Sequence, residues 1–277
     1  MNDVPTTGQL VLLLGAILAF AGGGIVSVCR IKWDREGLRV AAKGAMYIGI
    51  TLILAVLIWH SNARGNWIPA TDNFDTLLWL AALLAIFVMY MQRVRPLAGL
   101  EWFCMPIVIL LLIAAGVFGR AKPHEYLDGT WHWTHRVTSF GGLAVFFIAG
   151  VAGVMYLVKT RQLRTKHSNS PAKLPSLERL EHFTYTSVSL GFALLTIGLL
   201  TGLIRALTHN GAAMGAKWYA SPTVLLTFAV WLVYAIVLHA PINPSFRGRR
   251  AALLSVFGLV LTIGTLVTVQ YLPGGAH

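Results

Sequence analysis

Eight apolar segments of membrane-spanning length divide this sequence, and they leave room for little besides a helical bundle in a bilayer. They run over Gly8–Cys29, Val40–Trp59, Phe74–Met91, Leu97–Gly119, Val137–Val158, Phe183–Ala206, Pro222–Leu238 and Ala251–Tyr271. Most reach the ~20 residues that a ~30 Å hydrocarbon core requires at ~1.5 Å per residue. The third and seventh are shorter and suit a smaller tilt or a thinner patch of bilayer. Hydrocarbon offers no partners to backbone amides and carbonyls, and segments of this length satisfy them as helices rather than as barrel strands. Composition agrees: of 277 residues, 56% are hydrophobic and 12% charged, where a soluble domain carries about 25% charged residues. The mean hydropathy is +0.69. An ordinary cytosolic enzyme, a disordered chain and a fibrous chain are excluded. The expected fold is an all-α, polytopic membrane bundle of about eight spans with both termini extracytoplasmic.

The topology follows from where the cations fall. The net charge is +12 and the isoelectric point about 10.2, yet the basic residues sit in short loops between apolar spans rather than on one surface, so nucleic acid is not the partner. The odd-numbered loops hold most of them: Arg30, Lys32, Arg35, Arg39 and Lys43; Arg93 and Arg95; Lys159, Arg161, Arg164, Lys166, Lys173 and Arg179; Arg247, Arg249 and Arg250. The even loops keep Arg64, Arg120, Lys122, Arg136, Arg205 and Lys217. By the positive-inside rule the odd loops are cytoplasmic. Only Asp3 is charged ahead of the first apolar run, so no basic n-region marks a cleaved signal peptide and that run is expected to stay as a span. Lys159–His182 reads as a cytoplasmic linker that separates five spans from three within a single membrane domain, residues 1–277, and no internal repeat is visible. Cys29 and Cys104 stand far apart, without CxxC or CxxCH, so the chain is neither a thiol carrier nor itself a c-type cytochrome.

The chemistry gathers on the expected outer face. His60, Trp67, Asp72 and Asp75 lie in the second loop region; His124, Trp131, His132, Trp133, His135 and Arg136 in the fourth; His209, Lys217, Trp218 and Tyr219 in the sixth; and His277 ends the sequence. Taken singly, these residues make an interfacial aromatic belt with ordinary loop histidines. Two positions stand out as a pair. His135 precedes the fifth apolar run and His277 follows the eighth, and two neutral imidazoles meeting at one depth can ligate a haem iron axially. Trp131, Trp133, Trp218 and Tyr219 would supply flat walls for a porphyrin, and Arg136 and Lys217 cations for its propionates. His239 ends the seventh span on the cytoplasmic side, where an ionisable group is either a functional candidate or a side chain snorkelling to the interface. His60, His124, His132 and His209 are alternates to the favoured pair.

Several stretches go further than spacing. Asn73-Phe74-Asp75-Thr76-Leu77-Leu78 opens the third span and His132-Trp133-Thr134-His135 the fifth. Leu190-Gly191-Phe192 leads to Leu199-Leu200-Thr201-Gly202, and Trp231-Leu232-Val233-Tyr234-Ala235 leads to Leu238-His239 and Arg247-Gly248-Arg249-Arg250-Ala251-Ala252. The sequence closes on Val269-Gln270-Tyr271-Leu272-Pro273-Gly274-Gly275-Ala276-His277. In this order they resemble the N-x-Y-E-S-L, H-W-x-x-x-H-V (here with its spacing shortened), L-G-F-x-L-L-T-x-G-x-x-T-G, W-L-V-Y-A-x-x-L-H, R-G-R-R-A-A and V-N-L-L-G-x-G-L-H stretches of the cytochrome c assembly family. That is the CcsA/CcmC/CcmF group, and the likeness is greatest to its CcsA-like and HemX-like (YpjD-like) members. The resemblance implies haem handling at the outer face, with His135 and His277 as external ligands and His239 holding haem in transit. Haem b is then the cofactor, and a CcsB-like membrane subunit and apocytochrome c are the partners, in a bacterial-type inner membrane. The family's W-G-x-x-W-x-W-D-P-K-E-T loop is altered here: Met214-Gly215-Ala216-Lys217-Trp218-Tyr219-Ala220-Ser221-Pro222-Thr223-Val224-Leu225 keeps Trp218 and Pro222 but has Ala220-Ser221 for the W-D pair and Val224 for the acid.

Three readings follow. The first is a System II, CcsA-like protein that binds or presents haem for cytochrome c maturation, at most one part of a haem lyase assembly. The second, which the altered loop favours, is a HemX- or YpjD-like accessory protein without haem of its own. The third, a small-solute transporter or a subunit of a larger respiratory complex, lacks an inverted repeat, broken helices and an intramembrane acid–base chain in the sequence.

Overall fold

The computed structural model of the protein describes residues 5–33, 36–65, 67, 72–94, 99–119, 130–165, 174–208, 218–239 and 246–271. Among them the regular elements are all helical: α1 (Thr7–Lys32), α2 (Glu36–Arg64), α3 (Asn73–Val94), α4 (Leu100–Phe118), α5 (Thr130–Arg164), α6 (Leu177–Thr208), α7 (Pro222–Leu238) and α8 (Arg249–Tyr271), with one 3₁₀ turn at Trp218–Ala220. Seven of these helices are long and apolar enough to cross a membrane. The remaining one, α7, is apolar over 17 residues, at the short end of spanning lengths. The chain is a multi-pass helical membrane protein, as its apolar runs predict.

The helices overrun those runs, and that corrects the expected boundaries. α3 is not short; it has 22 residues. α5 extends over 35 residues, well beyond Val137–Val158, and α6 begins at Leu177, so both ends of the stretch read as a linker are helical. Apolar patterning reports the depth of hydrocarbon, whereas a helix continues until a cap or breaker stops it, and Lys, Arg and Gln are good helix formers in the wet interface. α4 alone begins late. Gly99 precedes it at φ 86°, a left-handed conformation that glycine adopts without strain. α7 starts where its sequence says it should: the Ser221 hydroxyl caps it by accepting the Val224 amide, and Pro222 occupies its first position.

The described helices form two compact units, α1 to α4 and α5 to α8. In the first, α1 packs on α2 and α4, α2 on α3, and α3 on α4, around buried Phe20, Ile53, Leu78, Leu84 and Leu112. In the second, α5 packs against α6 and α8, and α7 against α6 and α8. Its core collects Phe146, Val188, Leu195, Val230 and Tyr234. The rings of Phe146 and Tyr234 stack with centroids 3.8 Å apart, and the Tyr234 hydroxyl reaches the Phe146 carbonyl at 3.1 Å and that of Ser255 at 3.3 Å. Trp231 donates its indole N–H to Thr196 Oγ1 at 2.9 Å. Helices in lipid associate through close packing and such polar contacts rather than through apolar burial. At Gly153 the approach of α8 is so close that a Cβ would lie 2.8 Å from the Ala252 carbonyl oxygen. Gly153→Ala is therefore expected to destabilise the second unit by about 1–3 kcal/mol, the usual cost of overpacking, seen as a lower thermal midpoint in detergent. An unchanged midpoint would rule out this close crossing.

Candidate functional site

The site candidates in the second unit begin with the first turns of α5. The apolar pattern puts His135 just ahead of the fifth span, but α5 starts at Thr130 and carries His135 more than one turn inside the helix. That depth sets the ring beside the last turns of α6, which runs antiparallel to α5. His135 Nδ1 stands 2.7 Å from the Gly198 carbonyl oxygen. A carbonyl only accepts, so Nδ1 carries the proton and donates, which in the neutral ring leaves the lone pair on Nε2. Gly202, one turn further along α6, lies under the ring: a Cβ there would be 2.9 Å from His135 Cε1. Thr201 Oγ1 reaches the same Gly198 carbonyl at 3.0 Å and that of Ile197 at 2.8 Å.

Of the other candidates in this unit, Arg136 is buried, and Trp133 and Tyr219 are exposed. The side chains of Trp131, His132 and Trp218 lie outside the described residues, as do His124, His209, Lys217 and His277. His239 caps the C-terminus of α7, at the opposite end of the unit from His135. It is exposed and donates Nδ1–H to the Ala235 carbonyl at 2.7 Å. Metal-binding histidines are commonly oriented by a hydrogen bond from the other ring nitrogen to a carbonyl or carboxylate, and both His135 and His239 have that arrangement.

The first unit holds a polar cluster that sequence reading does not assemble. Asp72 is the N-terminal cap of α3: its Oδ1 accepts the Asp75 amide at 2.7 Å. His60 and Arg64, one turn apart near the end of α2, both meet its other oxygen, at 2.8 Å and 3.0 Å. Arg64 also donates to Asp75 Oδ2 at 3.2 Å. The opposite edge of His60 faces Gln9 of α1, whose side-chain amide nitrogen is 3.5 Å from Nδ1 and whose oxygen accepts the Thr6 amide in a capping box. Asp72 and Asp75 are fully buried. His60, an alternate ligand from sequence, is thus engaged at both nitrogens. The signal for this cluster is present as Asp72-x-x-Asp75 at a helix start and His60-x-x-x-Arg64 on one helix face; what the sequence does not show is that the two face each other. Burial pushes the Asp72 carboxyl up, but the hydrogen bonds from His60 and the Asp75 amide, with the electrostatic pull of His60 and Arg64, outweigh it and hold the group below its ordinary 3.8.

Comparison with known proteins bears on both units. The family model described as cytochrome C assembly protein matches residues 46–277. The chain is 26% identical over 263 residues to the cytochrome c biogenesis protein CcsA of Guillardia theta, covering 85% of this chain and 86% of that protein. It is 31% identical over 259 residues to the CcsA of Prochlorococcus marinus (strain SARG), covering 82% and 80%. The CcsA of Porphyra purpurea is 21% identical over 97% of this chain and 98% of its own length. No solved structure gives a significant match.

The cluster at Asp72 yields a prediction in pH. A carboxylate held low in the folded state stabilises above its unfolded value and loses that contribution as pH falls through the folded one. The first unit is therefore expected to lose stability as pH drops below 3.8. Asp72→Asn is expected to cost about 3 kcal/mol at neutral pH, since it leaves Arg64 and Asp75 in a broken buried network, and to flatten that acid limb. Denaturation midpoints in detergent across pH check both; an acid limb unchanged in the variant would remove Asp72 as its source.

Proposed function

The chain belongs to the cytochrome c assembly protein family, and we propose that it binds haem and presents it at the extracytoplasmic face during cytochrome c maturation, as a System II, CcsA-like protein of a bacterial-type inner membrane. The observation that carries this reading is His135. Its Nδ1 is held by a backbone carbonyl, which in the neutral ring leaves Nε2 the lone pair that iron requires, and the ring lies against Gly202, where any side chain would collide with it. The relatives are themselves named cytochrome c biogenesis proteins.

In this reading His135 and His277 are the axial ligands, and Trp131, Trp133, Trp218 and Tyr219 face the porphyrin. Arg136 and Lys217 offer charge to its propionates. His239 holds haem at the other side on its way outward. Haem b is cargo here, and its vinyl groups supply the carbons to which the thiols of an apocytochrome are joined. The protein's share is to bind and orient, and two imidazoles keep the iron low-spin and coordinatively closed until transfer. A CcsB-like subunit and the apocytochrome are the expected partners.

A second reading is favoured by the start of α7. Ser221 serves as its cap, and Ala220 stands where the family loop has tryptophan. Both features suit a HemX-like accessory protein that acts through contacts with other membrane proteins and holds no haem. One measurement separates the two. Protein purified from haem-replete cells is expected to show a low-spin Soret band that His135→Ala abolishes or shifts. A colourless preparation would overturn the haem reading and leave the accessory one.

A further inference from the structure

We infer that Gly198 and Gly202 of α6 are positioning residues for His135, selecting Nε2 as its coordinating atom and fixing the plane of its ring. This rests on the haem reading above, but it makes a separate statement about the haem-free protein. An unconstrained neutral imidazole exchanges between two tautomers, and a ring at the end of a freely rotating χ2 presents either nitrogen. Two features of α6 remove that freedom. The Gly198 carbonyl, 2.7 Å from Nδ1, accepts only and so places the proton on that nitrogen. Gly202 leaves the ring edge room that a methyl group would take, with a Cβ 2.9 Å from Cε1 and 3.2 Å from Nδ1.

The geometry also requires glycine at 198 itself. A Cβ there would lie 2.4 Å from Ser139 Oγ and 3.2 Å from the Ser139 Cα, which would hold α6 away from α5 and lengthen the bond to His135. The Leu199-Leu200-Thr201-Gly202 stretch, noted in the sequence only as a likeness, thereby acquires a task. Together with Gly198 just ahead of it, it brings a carbonyl and a seat for the ring edge to one side of a histidine that lies 63 residues before Gly198. A hydrogen bond from Nδ1–H to a carbonyl raises the electron density at Nε2, and orienting partners of this kind are worth about 10–100-fold in metal affinity.

The test compares wild type with Gly202→Ala, using Gly141→Ala as the control. Gly141 lies on the same helix as His135 and has nothing closer than 3.7 Å to an added Cβ. In haem-free protein labelled with ¹⁵N-histidine, held above the titration range of histidine, His135 is expected to show a protonated Nδ1 and an unprotonated Nε2. Gly202→Ala is expected to lose that tautomer signature, to weaken haem binding in titration by about tenfold or more, and to raise the haem reduction potential as the ligand loses basicity. Gly141→Ala should change none of these. A wild-type His135 protonated at Nε2, or a Gly202→Ala protein with tautomer, affinity and potential unaltered, overturns the inference. If wild type binds no haem yet shows the Nδ1–H form, lost in Gly202→Ala, the haem reading falls and the positioning by α6 stands.

Discussion

Once helices lie in hydrocarbon, burying apolar surface no longer draws them together, and what remains is how closely their backbones can approach. In the second unit that approach organises everything else. α5 meets α6 and α8 at glycines whose Cβ positions are already taken by neighbouring backbone or side chains, at Gly142, Gly153, Gly191 and Gly198. The same closeness that holds the helices is what brings the Gly198 carbonyl to His135. Packing and chemistry are therefore one interface. A change that parts α5 from α6 costs van der Waals contact along the seam and lengthens the hydrogen bond at its end.

The first unit solves a different problem. Asp72 and Asp75 are buried beside one guanidinium, and isolated carboxylates in such surroundings would be costly. Arg64 bridges both, and the backbone cap at the start of α3, together with His60, takes up further oxygen lone pairs. The network ties the ends of α1, α2 and α3 at one level, since Gln9, His60 and Asp72 come from three separate places in the chain. Phe74, edge-on to His60 with centroids 5.1 Å apart, continues that tie into the apolar core.

How much of this is legible in the sequence depends on the range of the interaction. Hydropathy locates every helix, because the hydrocarbon depth imposes a length that any chain must meet. Caps are legible too, in Ser221-Pro222, because capping chemistry is local. Helix ends are not: the polar residues of Lys159–Arg164 look like loop by hydropathy, although nothing in them breaks a helix. His135 is legible as a candidate, yet its proton position is not, since that is decided by a carbonyl on another helix and carbonyls are the same at every residue. Arg64 reads as a stray cation of an even loop; only the fold reveals that two carboxylates hold it there. Family likeness supplies what neither periodicity nor spacing can, a reason to weigh His135, His277 and His239 above the remaining histidines.

His60 and His135 make the contrast that explains why this matters. Both rings are oriented by hydrogen bonds, but His60 Nε2 donates to a carboxylate while its Nδ1 faces the Gln9 amide, and His135 Nδ1 donates to a peptide carbonyl. At His60 that carboxylate is shared with Arg64, so the ring is part of a buried charged network. Such a ring is suited to charge balance within a buried cluster. A peptide carbonyl carries only a partial charge, and a neutral ring that donates to it has its lone pair on the far nitrogen. It also needs no counter-cation, whereas Asp72 requires Arg64 to be buried with it. An α-helix offers this orienter with no added charge: besides its own helix bond, the Gly198 carbonyl accepts from His135 Nδ1 and from the Thr201 hydroxyl, which it shares with the Ile197 carbonyl. The remaining requirement is close approach: glycine at 198 lets α6 come up against Ser139 of α5, and glycine at 202 lets the His135 ring lie where a side chain would collide with it.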